Sequence, residues 1–128
     1  MRRSIYIDEF KHRNPIPNAA RIGNIIVSGL LRGVDPVTHA YPPSLEQQCK
    51  FMFDNVRRTV EAGGGTIDDI IKITVWMGEM RREPVNVEWL KMFPDPQTRP
   101  ARQIMLTPME PGVLVQCDFV AVLGEGRD

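Results

Sequence analysis

The chain has little of what marks many specialised proteins. It holds only two cysteines in 128 residues, Cys49 and Cys117, far apart and without CxxC spacing. Neither a disulfide framework nor a zinc site is expected, and a reducing cytoplasm fits best. Sixteen Lys+Arg balance sixteen Asp+Glu, so no net field attracts nucleic acid or a membrane surface. Any anionic ligand must be held locally. No segment approaches the roughly 20 apolar residues of a membrane span, and no apolar run of signal length follows the two arginines near the start. Internal repeats and low-complexity tracts are lacking. The run Gly63-Gly64-Gly65 lacks the Lys-Ser/Thr ending of a phosphate-cradling loop, and reads as a helix stop. No metal and no cofactor are expected.

What is present suits one domain over residues 1–128, since a 42% hydrophobic content supplies a proper core and the length leaves no room for a second. Residues 4–7 alternate as a short edge strand, and Pro15 and Pro17 force a loop over 14–18. A Gly23-Asn24 turn leads into a β-branched run over 25–31, in which Gly29 predicts a bulge or a close approach to the backbone. Residues 33–43 form a surface connection of the kind that rims sites, and His39 within it reads as a solvated side chain.

Ser44-Leu45-Glu46-Gln47 is a capping-box pattern that opens a helix. Leu45, Cys49, Met52, Phe53, Val56 and Val60 make one apolar stripe on it, opposite Lys50, Asp54, Arg57, Arg58 and Glu61. Cys49 in that stripe is a small buried hydrophobe. Residues 70–77 then predict a strand whose alternation buries Ile71, Ile73, Val75 and Met77 and turns Lys72, Thr74 and Trp76 the other way. Glu83-Pro84 opens a shorter helix over 85–93, with Val85, Trp89 and Met92 on one side. The last strand covers 113–123, with Gln116 and Asp118 on one face and Val115 and Cys117 on the other.

Between these elements stands Arg99-Pro100-Ala101-Arg102, followed by Ile104, Met105 and Leu106. A proline-stiffened entry delivers Arg102 onto a strand start, where a rigidly held guanidinium offers a fork to a carboxylate. The order of strands and two helices implies an α+β layer: a single mixed β-sheet with both helices on one face. So small a chain has no helix left for the other face, and self-association is the economical cover.

Several stretches resemble the Rid (YjgF, reactive-intermediate deaminase) family, also labelled endoribonuclease L-PSP. They run collinearly over about residues 14 to 123: Gly23-Asn24 to Ser28-Gly29, Asn55-Val56 to Gly63-Gly64, Asp68-Asp69 to Val75-Trp76, Val85-Asn86, Arg99-Pro100-Ala101-Arg102, and Leu114-Val115-Gln116-Cys117-Asp118-Phe119-Val120-Ala121. The resemblance implies a chorismate-mutase-like fold in a homotrimer with three clefts between subunits. It implies a small carboxylate-bearing imine, enamine or keto acid as ligand, gripped by Arg102, and C=N hydrolysis as the reaction. It also implies that Ser28 and Gly29 border the cleft.

The chain departs from the family's pattern at three positions. Ile16 stands for a tyrosine, Ile104 for a cysteine and Gln116 for a carboxylate. Gln116 can orient water but cannot take its proton, whereas Asp118, two residues along on the same face, could supply a carboxylate. Ile16 and Ile104 give a more apolar lining, which suggests a larger or less polar substrate. Two functions stay open: a deaminase of imino or enamino acids, an aminomuconate-type reaction included, and a trimeric module that binds a small carboxylate without turnover. A ribonuclease finds no basic stripe and no paired histidines here.

Overall fold

The structure, a computed structural model, describes residues 1–124. Among these, β1 (Arg3–Ile5), β2 (Ala19–Ile22), β3 (Ile25–Ser28) and β4 (Leu31–Arg32) precede α1 (Leu45–Ala62), and β5 (Ile70–Met77), α2 (Arg82–Met92), β6 (Ala101–Leu106) and β7 (Val115–Val122) follow it. The strands form one sheet in the order β1-β2-β3-β7-β5-β6, with β4 also on β7. Only β5 and β6 run parallel, joined through α2, so the expected single mixed sheet is found.

The helix α1 forms where its caps and stripe direct. Ser44 Oγ accepts the Gln47 N–H at 3.1 Å. At the other end Gly64 takes a left-handed φ of 96°, and Arg3 and Arg21 both donate to the carbonyl of Gly63. All six residues of the apolar stripe are buried against Ile26, Ile73, Val75, Met77, Val115, Cys117 and Phe119 on one sheet face. Val85 and Trp89 of α2 join the same core. On the opposite face Ile25, Val27, Met105 and Val122 stay exposed.

Several sequence expectations need correction. The strand expected over 4–7 is Arg3–Ile5, because the N–H of Ile7 goes to Asn18 Oδ1 and not to a strand. Residues 19–22 form a strand the alternation did not reveal, closed onto β3 by a two-residue turn with Gly23 at φ 56°. The run 25–31 is broken into β3 and β4. From Val27 opposite Val120 to Leu31 opposite Cys117, one side advances four residues and β7 only three. That is the bulge predicted at Gly29, and Ser28 Oγ fills the gap in the ladder by accepting the Phe119 N–H at 2.9 Å.

A second bulge between Ile70 and Lys72 turns Ile71 out, 53% exposed, so Ile70 takes the buried place given to Ile71. On the other face of β5 Lys72 is exposed and Trp76 half-buried, but Thr74 is already buried within the chain. The second helix begins at Arg82, not 85, because Pro84 sits in its first turn, where no backbone donor is needed. The last strand is two residues shorter at the front and one at the back than 113–123.

Candidate functional site

Arg102 stands where the proline-led entry puts it, second residue of β6 at the sheet edge. It pairs with Ile73 and Ile104 pairs with Val75, so both lie on the helix side of the sheet. There the guanidinium carbon sits 4.9 Å from the ring centre of Trp89. Phe93, edge-on to Trp89 at 4.8 Å, holds that ring in place. The Nη1 of Arg102 is buried without a hydrogen-bond acceptor among the described residues. Burial first, and then the charge of Arg82, lower the Arg102 pKa from its ordinary value. A half-buried guanidinium with one buried nitrogen short of an acceptor, close to a second cation, is a place for an anion.

Gln116 and Asp118 lie elsewhere. They pair with Trp76 and Thr74, which puts them on the opposite sheet face from Arg102. Asp118 Oδ2 accepts the Trp76 indole N–H at 2.9 Å. Gln116 Oε1 accepts from Arg32 Nε at 3.2 Å, and Arg32 Nη1 reaches the Tyr41 hydroxyl at 3.4 Å and Glu110 Oε2 at 3.1 Å. Burial lowers the Arg32 pKa, and the bonds and charges of Tyr41 and Glu110 more than offset this, so the net shift is upward.

Sequence reasoning missed this Arg32 cluster and the two amides that build it. Gln48, fully buried on α1, donates to the carbonyls of Pro42 and Gly112 and accepts the Leu114 N–H. Asn55, two turns on, donates to the carbonyls of Arg32 and Val34. These bonds fix the loops that carry Tyr41 and Glu110. Between the two amide anchors, Gly33 packs so close to α1 that a Cβ would lie 2.2 Å from the Gln48 carbonyl oxygen. Two polar residues seven apart beside an apolar stripe are the only trace of this in the sequence.

The remaining expected residues are dispersed. Ile16 lies in the loop between β1 and β2, 46% exposed, at the far end of the sheet from β6. Ser28 spends its hydroxyl on Phe119, and the Gly29 N–H donates to the Asn18 carbonyl. His39 is exposed in a left-handed turn at φ 61°. One chain therefore gathers Arg102 with Ile104, and Gln116 with Asp118, but does not bring the two pairs together. A concavity of about 560 Å³ lined by Glu46, Arg81, Arg82, Glu83, Pro84 and Val87 includes none of the four. Among the described residues no three His, Cys, Asp or Glu side chains come together as metal ligands, and no helix is long and apolar enough to cross a membrane.

The model of the family described as Endoribonuclease L-PSP matches residues 7–123. The 2-iminobutanoate/2-iminopropanoate deaminase of Escherichia coli K12 is 28% identical over 111 residues, which cover 84% of this chain and 87% of that protein. A crystal structure from Thermotoga maritima MSB8 superposes with a TM-score of 0.87 at 26% identity, over 97% of this chain and 99% of its own. The structure of the Escherichia coli YjgF gene product gives 0.84 at 26% identity, over 94% and 98%.

Proposed function

The chain belongs to the endoribonuclease L-PSP family, and on that premise we propose that it is a homotrimer whose inter-subunit clefts bind a 2-imino or enamino acid and hydrolyse its C=N bond. The observation that carries this reading is the buried, unpartnered Nη1 of Arg102 on an edge strand. A substrate carboxylate would supply the missing acceptor and complete a bidentate pair beside the Trp89 ring. Self-association fits the apolar side chains Ile25, Val27, Met105 and Val122 left exposed on the outer face. It also resolves the separation of the two residue pairs, since the edge of one copy can meet the outer face of the next.

In the reaction, water adds to the carbon of the protonated imine, and the C–N bond then breaks to leave a 2-oxo acid and ammonium. Arg102 orients the carboxylate, Gln116 and Asp118 of the adjoining copy face the water, and Ile104 together with Ile16 of the adjoining copy lines the apolar remainder. The 28% identical deaminase supports the reaction class. A second reading, a trimer that binds a carboxylate without turnover, is favoured by the amide at Gln116 and by the engagement of Asp118 with Trp76.

The test combines sedimentation, titration with 2-oxobutanoate and an imine-hydrolysis assay. A trimer that binds the oxo acid and speeds hydrolysis is expected. Binding without turnover selects the second reading, and a monomer at micromolar concentration removes both.

A further inference from the structure

Arg32 decides which way the Gln116 amide faces. A guanidinium only donates, so the group 3.2 Å from Arg32 Nε has to be the amide oxygen. The amide nitrogen of Gln116 is then turned away, and it has no partner among the described residues. With its oxygen engaged by Arg32, Gln116 therefore has its two N–H donors left for whatever lies over the outer face.

The charge around it is equally fixed. Glu110 Oε2 sits 3.1 Å from Arg32 Nη1, so the arginine's charge is matched within the cluster, and Asp118 lies two residues along on the Gln116 face. The site thus offers donors without a net positive field. A second carboxylate would face Glu110 and Asp118, whereas a neutral carbonyl oxygen would accept from Gln116 with no like charge to overcome.

We propose that Arg32 is a positioning residue that locks Gln116 as a hydrogen-bond donor, so that the cleft selects carboxylic acids bearing a neutral carbonyl away from the carboxylate. This deepens the reading of the cleft given above and rests on it, because Gln116 must face the ligand that Arg102 holds.

The experiment is calorimetric titration with pentanoate, 4-oxopentanoate and pentanedioate, and with hexanoate, 5-oxohexanoate and hexanedioate. For the trimer, at least one oxo acid should bind about 3- to 10-fold tighter than its parent acid, the usual scale of one net hydrogen bond, and neither dioate should share the gain. Arg32→Leu should bring the oxo-to-parent ratio to near one. Arg32→Lys can still donate to the amide oxygen and pair with Glu110, and should keep part of it. Gln116→Leu should abolish the ratio even if Arg32→Leu fails to fold.

The proposal is overturned if no oxo acid outbinds its parent, if a dioate binds best, or if the ratio survives Arg32→Leu or Gln116→Leu. Parent acids that bind with no oxo preference sink this proposal alone. Failure of every acid to bind sinks the carboxylate cleft as well.

Discussion

Arg102 lies with its guanidinium carbon 4.9 Å from the centre of the Trp89 ring, and its buried Nη1 has no acceptor among the described residues. Arg102→Lys keeps the charge but loses both the fork and the guanidinium's contact with the Trp89 ring. Binding of 2-oxobutanoate should weaken by roughly 1.5 to 3 kcal/mol, the scale of hydrogen bonds to charged groups. Calorimetry reads this directly, and an unchanged affinity would remove Arg102 from the site.

Gln116→Glu replaces the amide held by Arg32 with a carboxylate, a base that this position otherwise lacks. Turnover of 2-iminopropanoate should rise by at least about tenfold, short of the 10²- to 10⁴-fold usual for general acid-base assistance, because the guanidinium makes that carboxylate a weak base. The pH–rate profile should gain an acidic limb. Wild-type hydrolysis as fast as that of the variant would mean that Arg102 and the backbone suffice.

Gln48→Leu keeps the volume of a fully buried side chain and removes three hydrogen bonds. The carbonyls of Pro42 and Gly112 and the N–H of Leu114 are then left without their partner, so unfolding stability should fall by about 2 to 5 kcal/mol. Urea unfolding measures it, and a loss under 1 kcal/mol would show that the loops reach other partners.

Both thiols resist ionisation. Burial, followed by the charges of Glu88 and Glu46, pushes Cys49 up to about 12, and burial also pushes Cys117 up. An unfolded thiol titrates near 8.5. The stabilisation from keeping these groups neutral is fully present below that value and is lost as pH rises towards the folded pKa. Each thiol should lower stability by about 1.4 kcal/mol per pH unit between about pH 9 and 12. Cys49→Ala should remove one thiol's share of that slope in urea titrations at pH 8 to 10.

The features legible in the sequence were those set by local periodicity and by glycine and proline. The α1 stripe, its Ser44 cap, the alternation of β7 and the delivery of Arg102 onto β6 all follow from neighbours a few residues apart. The pairing of Arg32 with Gln116 spans 84 positions and leaves no local pattern. The reach of Gln48 to Gly112 and Leu114 is equally remote. Bulges escaped in part for a related reason: Gly29 announces one, whereas Ile71 has the same β-branched character as its buried neighbours. That Arg102 and Gln116 take opposite sheet faces depended on strand order, which hydrophobic alternation does not encode.

The placement of β7 between β3 and β5 also bears on what a shortened chain would expose. β3, β4 and β5 all hydrogen-bond to β7, yet each precedes residue 115 in the chain. Without β7 the β1–β3 ribbon and the β5–α2–β6 unit each keep an unpaired edge. A chain truncated before Val115 therefore carries two open strand templates, and the addition of a single segment closes both.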